Sequence, residues 1–162
     1  MDMSGAYAKS VRKPGHTVKA VICYDPFHVV ALGTKALDTV RRQEWQQMHK
    51  ADEKAAKRFK KARWCLLKNP TDLDEDQAAT LRRLKRHKGA LWRAYSLKEA
   101  LRAIFASDLS ENDVAHLLDR FCSKASRSKL KPFVTLAQTI RKHREGILAA
   151  VRLGVNNAAM RA

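Results

Sequence analysis

The chain has 162 residues, of which 45% are hydrophobic and 30% are charged. This length is sufficient for one domain with a hydrophobic core, and the composition excludes both a disordered chain and a membrane-embedded one. No apolar stretch approaches the length of about 20 residues that a transmembrane helix requires, so we expect no contact with a membrane.

Basic residues greatly outnumber acidic ones. The chain contains 33 Lys and Arg against 16 Asp and Glu, which gives a formal net charge of +17. Such a surplus favours a polyanionic partner, because Lys and Arg release counterions when they contact phosphates. The alternative is a basic protein whose charged side chains only solvate its helix faces. The charge predicts a nucleic acid as the partner.

The cellular location is predicted from the N-terminus and the cysteines. The first residues do not combine a basic segment with an apolar one, so we predict no signal peptide. The three cysteines (Cys23, Cys65 and Cys122) lie far apart and lack C-x-x-C spacing. This pattern argues against a disulfide framework and against a structural zinc site. A cytoplasmic protein is expected.

The first predicted elements are a short helix at residues 4–11 and one buried strand at residues 18–24. The strand is predicted from its nearly continuous run of apolar and β-branched residues. No other segment predicts a strand. A lone strand needs ladder partners for its backbone groups, so the sequence indicates an incomplete sheet.

Asp25 stands where the predicted strand gives way to a helix. Asp is a favoured N-cap residue, and Pro26 suits the first helical position. Ligands and metals also gather at the carboxyl edge of strands in α/β sheets. Asp25 is therefore either a helix cap or a metal ligand, and its two oxygens make the roles compatible. His28, one turn later, either approaches the same edge or packs.

Two long helices are predicted next. The first begins at Pro26, becomes polar and basic beyond Trp45 and stops before Asn69; its apolar stripe comprises Phe27, Val30, Ala31, Thr34, Leu37, Val40 and Trp45. The second begins after Asp74, where Asp74 and Gln77 form a capping-box pattern. It is predicted to continue to Phe105, over about 45 Å at about 1.5 Å per residue. We expect the two to form an antiparallel hairpin.

Two further helices follow. Ser110 opens the third, whose apolar stripe contains Val114, Leu117, Leu118 and Phe121. Pro132 opens the fourth, with Phe133, Leu136, Ala137 and Ile140 facing inward. Gly146 is predicted to interrupt this helix before Ile147, Leu148, Val151 and Leu153 continue its pattern.

Four basic clusters are candidates for nucleic-acid binding. They comprise Lys57, Arg58, Lys60 and Lys61; Arg82, Arg83, Lys85 and Arg86; Arg127, Lys129 and Lys131; and Arg141, Lys142 and Arg144. Any one cluster is also explained as a solvated helix face, whereas all four together favour a phosphate-binding surface. Trp45, Trp64 and Trp92 either stack on unpaired bases or pack in the core.

Four segments of the chain together resemble one protein family. They are DMSGAY at residues 2–7, AVICYDPFHVV at 20–30, ARWCLLKNP at 62–70 and IRKHREGI at 140–147. The chain is similar in these segments, and in their order, to bacterial insertion-sequence transposases of the ISL3 type. That family has an RNase H-like DDE catalytic domain.

The resemblance implies a fold and a chemistry. In this family two Asp and one Glu hold two divalent cations, Mg²⁺ or Mn²⁺, for phosphoryl transfer in DNA. Asp25 corresponds to the middle acid, so it is the expected catalytic residue and metal ligand. The implied fold is mainly α: a partial RNase H-like α/β element with one strand and a short helix, followed by a long helical insertion. The expected domains are residues 1–34 for the partial core, 35–154 for the insertion and 155–162 for a truncated tail.

The resemblance also shows two departures. The family's first Asp lies on an earlier strand, for which Asp2 is no substitute, and the Glu that follows the last helix is missing. We therefore expect a transposase fragment that does not stably hold the cations and has no strand-transfer activity of its own. By resemblance its partner is DNA at transposon ends. The alternatives are a regulatory fragment that joins full-length transposase, and an unrelated basic helical protein that binds nucleic acid.

Overall fold

The computed structural model describes residues 22–53 and 62–154. These residues form seven α-helices and one 3-10 turn. In chain order the helices are α1 (Pro26–Ala51), α2 (Ala62–Leu67), α3 (Glu75–His87), α4 (Ala90–Ala106), α5 (Glu111–Ser126), α6 (Lys131–Lys142) and α7 (Arg144–Arg152), and the 3-10 turn is Pro70–Asp72. The predicted mainly α class is thus confirmed for the described residues.

The predicted strand is not shown. Residues 22–25 have no regular secondary structure, and residues 4–11 and 18–21 of the predicted helix and strand lie outside the described residues. The backbone N–H of Tyr24 donates to the carbonyl of Gly146 at 3.0 Å. This bond gives the Tyr24 donor a partner in a helix, which replaces the ladder partner that a strand would require.

The core lies between α1, α4, α5 and α6. Helix α1 packs on α4 and α6, and α5 packs on α4 and α6. The largest fully buried side chains include Leu37 of α1, Leu101 of α4, Leu118 of α5, and Phe133 and Ile140 of α6. Burial of apolar side chains of this size stabilises the fold by about 1.5–3 kcal/mol each. Helices α2, α3 and α7 pack around this group.

Helix α1 buries a different stripe from the predicted one. Its buried residues are Pro26, Val29, Gly33, Ala36, Leu37, Val40 and Arg41. Phe27 is 51% exposed, so its predicted place in the core is wrong. The reason is close packing: a Cβ at Gly33 would lie 3.0 Å from Leu101 Cδ2, so the small residues of α1 face α4. The buried face of α1 is therefore determined by the small residues Gly33 and Ala36 as well as by the large apolar side chains.

The first long helix is divided in the described part. Helix α1 ends at Ala51, where the N–H of Asp52 bonds to Met48 O. Helix α2 begins at Ala62, and the intervening residues 54–61 lie outside the described residues. Because α1 runs without interruption through residue 34, no break in secondary structure marks the predicted domain division there. That division stays a prediction.

The second long helix is two helices, and its predicted continuity is wrong. Lys88 adopts the left-handed conformation (φ 49°), and its N–H bonds to Leu84 O, which ends α3. Gly89 is then the N-cap residue of α4, which begins at Ala90. Leu84 and Leu91 lie seven residues apart, so the apolar spacing continues across the break and conceals it.

Several helix ends agree with the predictions. Asp74 caps α3 by accepting from the Gln77 N–H at 2.8 Å, although the Gln77 side chain does not complete the capping box and instead accepts from Lys68 Nζ. Ser110 caps α5, and the four predicted residues of α6 are buried. The final interruption falls at His143, whereas Gly146 lies inside α7.

Lys98 is the most deeply buried charged residue of the described part. Its side chain is 3% exposed, and its Nζ donates to Leu66 O at 3.1 Å. It also lies 2.5 Å from Glu99 Oε1 and 5.1 Å from the ring centroid of Tyr95. Burial, followed by the nearby charge of Glu99, raises the pKa of Tyr95 to about 12. Lys98 therefore links α2 to α4 through a carbonyl at the end of α2.

Among the described helices, none is long and apolar enough to cross a membrane.

Candidate functional site

Asp25 is the N-cap residue of α1. Its Oδ1 accepts a hydrogen bond from the backbone N–H of Phe27 at 2.8 Å. Its other oxygen, Oδ2, lies 3.5 Å from Nδ1 of His28, and 30% of the Asp25 side chain is exposed. The capping interpretation is thus confirmed for one oxygen. The predicted metal role is left open, since the second oxygen does not take part in the cap and contacts only the His28 imidazole among the described residues.

The residues around Asp25 do not supply the ligands of a two-cation centre. Such a centre needs several oxygen ligands, because Mg²⁺ prefers carboxylates and retained waters. The surroundings of Asp25 supply one carboxylate and the His28 imidazole, and the described part of the chain contains no group of three or more His, Cys, Asp or Glu that could hold a metal ion. These residues alone do not fit the cation pair of a DDE enzyme.

The structure locates ten of the fourteen predicted nucleic-acid-binding residues. Lys57, Arg58, Lys60 and Lys61 lie outside the described residues. Arg82, Arg83, Lys85 and Arg86 are exposed on α3. Lys85 Nζ lies 6.0 Å from the ring centroid of Trp92, so α3 and the first turn of α4 are neighbours at this point.

The connection between α5 and α6 brings three basic segments together. Arg127 and Lys129 are exposed within this connection, and Lys131 follows at the start of α6. Arg93 of α4 donates from Nη1 to Ser128 O at 3.0 Å. Arg141 of α6 donates from Nη1 to Ser126 Oγ at 3.0 Å. Cations from α4, the connection and α6 therefore surround residues 126–128.

Arg144 belongs to a different environment. Its Nε and Nη2 donate to both carboxylate oxygens of Asp119, at 3.1 and 3.0 Å. The hydrogen bond from Arg144 lowers the pKa of Asp119 below its usual value and raises the pKa of Arg144. Because a bidentate carboxylate compensates its charge, Arg144 is a weaker phosphate-binding candidate than its sequence cluster suggests. Lys142 is exposed at the end of α6.

The tryptophans occupy three different environments. Trp45 stacks on His49 with ring centroids 4.9 Å apart, and Trp92 packs beside Tyr95 at 5.4 Å. Trp64 is 55% exposed, and the Arg63 guanidinium lies 5.3 Å from its ring centroid. Trp64 is therefore the most exposed of the three and the best placed to stack on a base.

Arg93 is a basic residue that sequence reasoning did not select. It lies outside the four clusters, and its hydrogen-bond partner Ser128 is 35 residues away along the chain. No spacing rule detects a contact of that range. The only local signal is the basic stretch from Arg82 to Arg93, which contains no acid.

Comparison with known proteins gives one family. A family model of DDE transposases of the ISL3 type, described as "Transposase", matches residues 1–161. Two relatives are named as the transposase for insertion sequence element IS1557, from two strains of Mycobacterium tuberculosis. Each is 38% identical over 157 residues, which covers 85% of this chain and 35% of the relative. No solved structure matches.

A more distant relative supports the same assignment. The transposase for insertion sequence element IS1001 of Bordetella parapertussis is 30% identical over 159 residues, which covers 98% of this chain and 38% of the relative. The chain thus spans somewhat more than a third of the length of the curated relatives that it matches. The match of the family model covers nearly the whole chain. This chain belongs to the ISL3-type transposase family.

Proposed function

We propose that this chain takes part in DNA transposition as a segment of a transposase that binds the DNA backbone. Family membership supplies the context and excludes the alternative of an unrelated basic protein. The observation that carries the proposal is the exposed basic row of α3, formed by Arg82, Arg83, Lys85 and Arg86. We expect this row to contact phosphates.

The charge distribution of α3 supports this function. Its acids, Glu75 and Asp76, lie in the first turn, whereas its last turn carries Lys85, Arg86 and His87. Cations at a helix C-terminus also stabilise the helix dipole, by about 0.3–1 kcal/mol each. That effect explains the last turn but not Arg82 and Arg83, which lie further back along the helix. Phosphate binding accounts for all four cations, including the two that lie before the last turn.

The metal-dependent chemistry of the family is proposed only for Asp25. By resemblance it is one of three acids, and the oxygen that does not cap α1 supports this role. The described residues contain no group of three or more His, Cys, Asp or Glu that would complete the site. We therefore assign Asp25 as one contributor to a cation site and derive no catalytic step from the residues present.

DNA binding is tested on the chain itself. Fluorescence anisotropy with a labelled DNA duplex is measured over a range of salt concentrations. We expect binding without sequence preference that weakens steeply as salt increases, with a logarithmic slope of about −0.9 per phosphate neutralised. The double variant Arg82→Ala/Arg83→Ala should reduce the magnitude of this logarithmic salt slope by about 2, because it removes two phosphate contacts. Absence of binding at low salt would refute the proposal.

The role of Asp25 is tested with a pair of substitutions. Asp25→Asn retains a good N-cap but removes the charge, whereas Asp25→Ala removes both, at a cost of about 1 kcal/mol in stability. The pair is introduced into a hybrid in which this chain replaces the matching third of the IS1557 transposase. In this hybrid we expect Asp25→Asn to abolish the Mn²⁺-dependent cleavage of DNA while the fold stays intact. Normal cleavage by the Asn variant would refute the metal role.

Association with full-length transposase would require an exposed apolar face. The exposed large apolar side chains of the described part are Phe27, Trp64 and Leu153. They belong to α1, α2 and the end of α7, so they do not by themselves define one face. This partner stays a prediction, which co-purification with a tagged full-length relative would test.

A further inference from the structure

We infer that DNA phosphates bind to one particular surface of this chain, formed by Arg93, Arg127, Lys129 and Arg141 around the α5–α6 connection. We call it the loop surface. The inference rests on the proposed DNA binding and specifies where it occurs. It adds to the α3 row a second contact region that unites residues from three separate parts of the sequence.

The three arginines are anchored on one short segment. Arg93 donates to Ser128 O at 3.0 Å, Arg141 to Ser126 Oγ at 3.0 Å, and Arg127 to Ser123 O at 3.2 Å. All three acceptors lie within residues 123–128. Their guanidinium groups are therefore fixed close to the same few residues, although Arg93 and Arg141 are 48 positions apart in sequence.

The anchoring acceptors are neutral, which distinguishes these arginines from the arginines of the described residues that pair with carboxylates. Carbonyl and hydroxyl oxygens position a guanidinium without compensating its charge. By contrast, Arg41 and Arg42 pair with Asp38. In the same way, Arg102 pairs with Glu99, Arg144 with Asp119, and Arg152 with Glu111. The Arg144–Asp119 pair marks the edge of the loop surface: Asp119 bonds Arg144, and it is also close enough to Arg141 for the charge of Arg141 to help lower the Asp119 pKa.

Anchored guanidinium groups suit phosphate binding. Arg carries five N–H donors, and each anchor described here uses one of them. The remaining donors are free to form paired bonds to phosphate oxygens, the geometry in which Arg exceeds Lys. Because the anchors already restrict rotation of the side chains, less entropy is lost on binding. The arrangement favours a polyanion over a single small anion, since several cations are presented along one surface.

Lys129 adds a cation at a backbone position that favours glycine. It has φ 61°, is exposed and lies at the end of the connection before α6. A left-handed conformation costs a non-glycine residue roughly 1–2 kcal/mol, so the backbone alone gives no reason for lysine here. Lysine at this position places an exposed positive charge next to Arg127 and Ser128.

The experiment compares two double variants that lose the same charge. In Arg127→Ala/Lys129→Gly, the Arg127 bond lies within its own turn and glycine relieves the φ of residue 129, so the fold should be retained. In the control Arg42→Ala/Arg152→Ala, both cations are exposed and paired with carboxylates, and Arg41 still bonds Asp38. Thermal unfolding checks that both variants are folded.

Binding to a DNA duplex is measured by anisotropy between about 50 and about 200 mM salt. We expect Arg127→Ala/Lys129→Gly to reduce the logarithmic salt slope by about 2 and the low-salt affinity at least about tenfold, with a much smaller effect in the control. An equal effect in both variants would overturn the loop surface and leave DNA binding intact. Failure of the unchanged chain to bind DNA would overturn both proposals.

Discussion

Tyr24 and Gly146 contact each other through both backbone and ring. The Tyr24 N–H donates to Gly146 O at 3.0 Å, and the Tyr24 ring lies where a side chain at position 146 would begin. The same ring stacks edge-on against His143 at 4.7 Å. Through these contacts the residues that lead into Asp25 lie against the first turn of α7. Contacts with α7 therefore position the start of α1.

Substitution of Gly146 by Ala should destabilise the protein. A Cβ at this position would lie 2.6 Å from Tyr24 Cε2 and 2.8 Å from Ile22 O, and the latter is backbone that cannot rotate away. We expect a loss of about 1–3 kcal/mol in the free energy of unfolding, measured by urea denaturation. Gly89→Ser is the matched control, because nothing lies within 4 Å of a Cβ there and serine is a good N-cap. Equal stability of Gly146→Ala and the unchanged protein would contradict the close contact.

Replacement of the buried Lys98 by Met should also destabilise the fold. The substitution keeps the apolar length of the side chain but leaves Leu66 O without its donor and Glu99 without one of its cations. We expect a loss of about 1–3 kcal/mol, as for a buried polar group left unsatisfied. Lys124→Met on the exposed face of α5 should change the stability by less than about 0.5 kcal/mol. A neutral Lys98→Met would show that Lys98 does not link α2 to α4.

Lys88→Gly should raise the stability of the protein. Lys88 ends α3 with φ 49° and ψ 23°, a conformation that glycine adopts without a Cβ penalty. The expected gain is about 0.5–1 kcal/mol, because relief of the left-handed conformation, worth roughly 1–2 kcal/mol, exceeds the extra entropy that glycine loses on folding. It is measured as a higher thermal midpoint. Lys88→Ala retains the strained conformation and should show no comparable gain. If the alanine variant were stabilised equally, the left-handed turn between α3 and α4 would be disproved.

Asp38 should contribute to the acid dependence of stability. Burial alone would raise the pKa of Asp38, but hydrogen bonds from Arg41 and Arg42, with their charges, lower the pKa below its ordinary value of 3.8. The folded protein therefore binds this proton more weakly than the unfolded chain. The resulting stabilisation is present above pH 3.8 and is lost as the pH falls through the lowered pKa.

Urea denaturation between about pH 5 and about pH 2 measures this contribution. Asp38→Asn should be less stable than the unchanged protein at the upper end, and the difference should shrink toward the lower end. Asp72→Asn serves for comparison, because the Asp72 carboxylate is exposed and accepts a hydrogen bond from the hydroxyl of Thr71 and not from an arginine. A constant difference for Asp38→Asn across this range would argue against the arginine pairs as its source.

The three thiols should differ in reactivity in the native protein. Burial raises the pKa of Cys65 to about 11 and also raises that of Cys122. Both are inaccessible, whereas Cys23 is partly exposed. Because the thiolate is the reactive form, we expect one fast reaction with an aromatic disulfide reagent, removed by Cys23→Ser. Three equally fast thiols before unfolding would contradict the packing around Cys65 and Cys122.

Local patterns in the sequence determined the helical class and many of the helix ends. Asp25, Asp74 and Ser110 cap the helices that they were expected to cap, because capping depends on a side chain and a backbone N–H two or three residues away. The buried residues of α6 follow from helical spacing alone. The four resembling segments identified the family. Each of these inferences uses information contained within one segment or in the order of segments.

Tertiary packing decided what local spacing leaves undetermined. The stripe of α1 turned toward α4 because Gly33 permits close approach, and Gly146 is needed for Tyr24 although it does not end a helix. Arg93 and Arg141 join the α5–α6 connection through bonds that span 35 and 15 positions. Arg144, from the same sequence cluster as Arg141, instead pairs with Asp119. Sequence determined which residues carry charge, but only the folded chain decided which charges face a carboxylate, because that depends on neighbours brought together by packing.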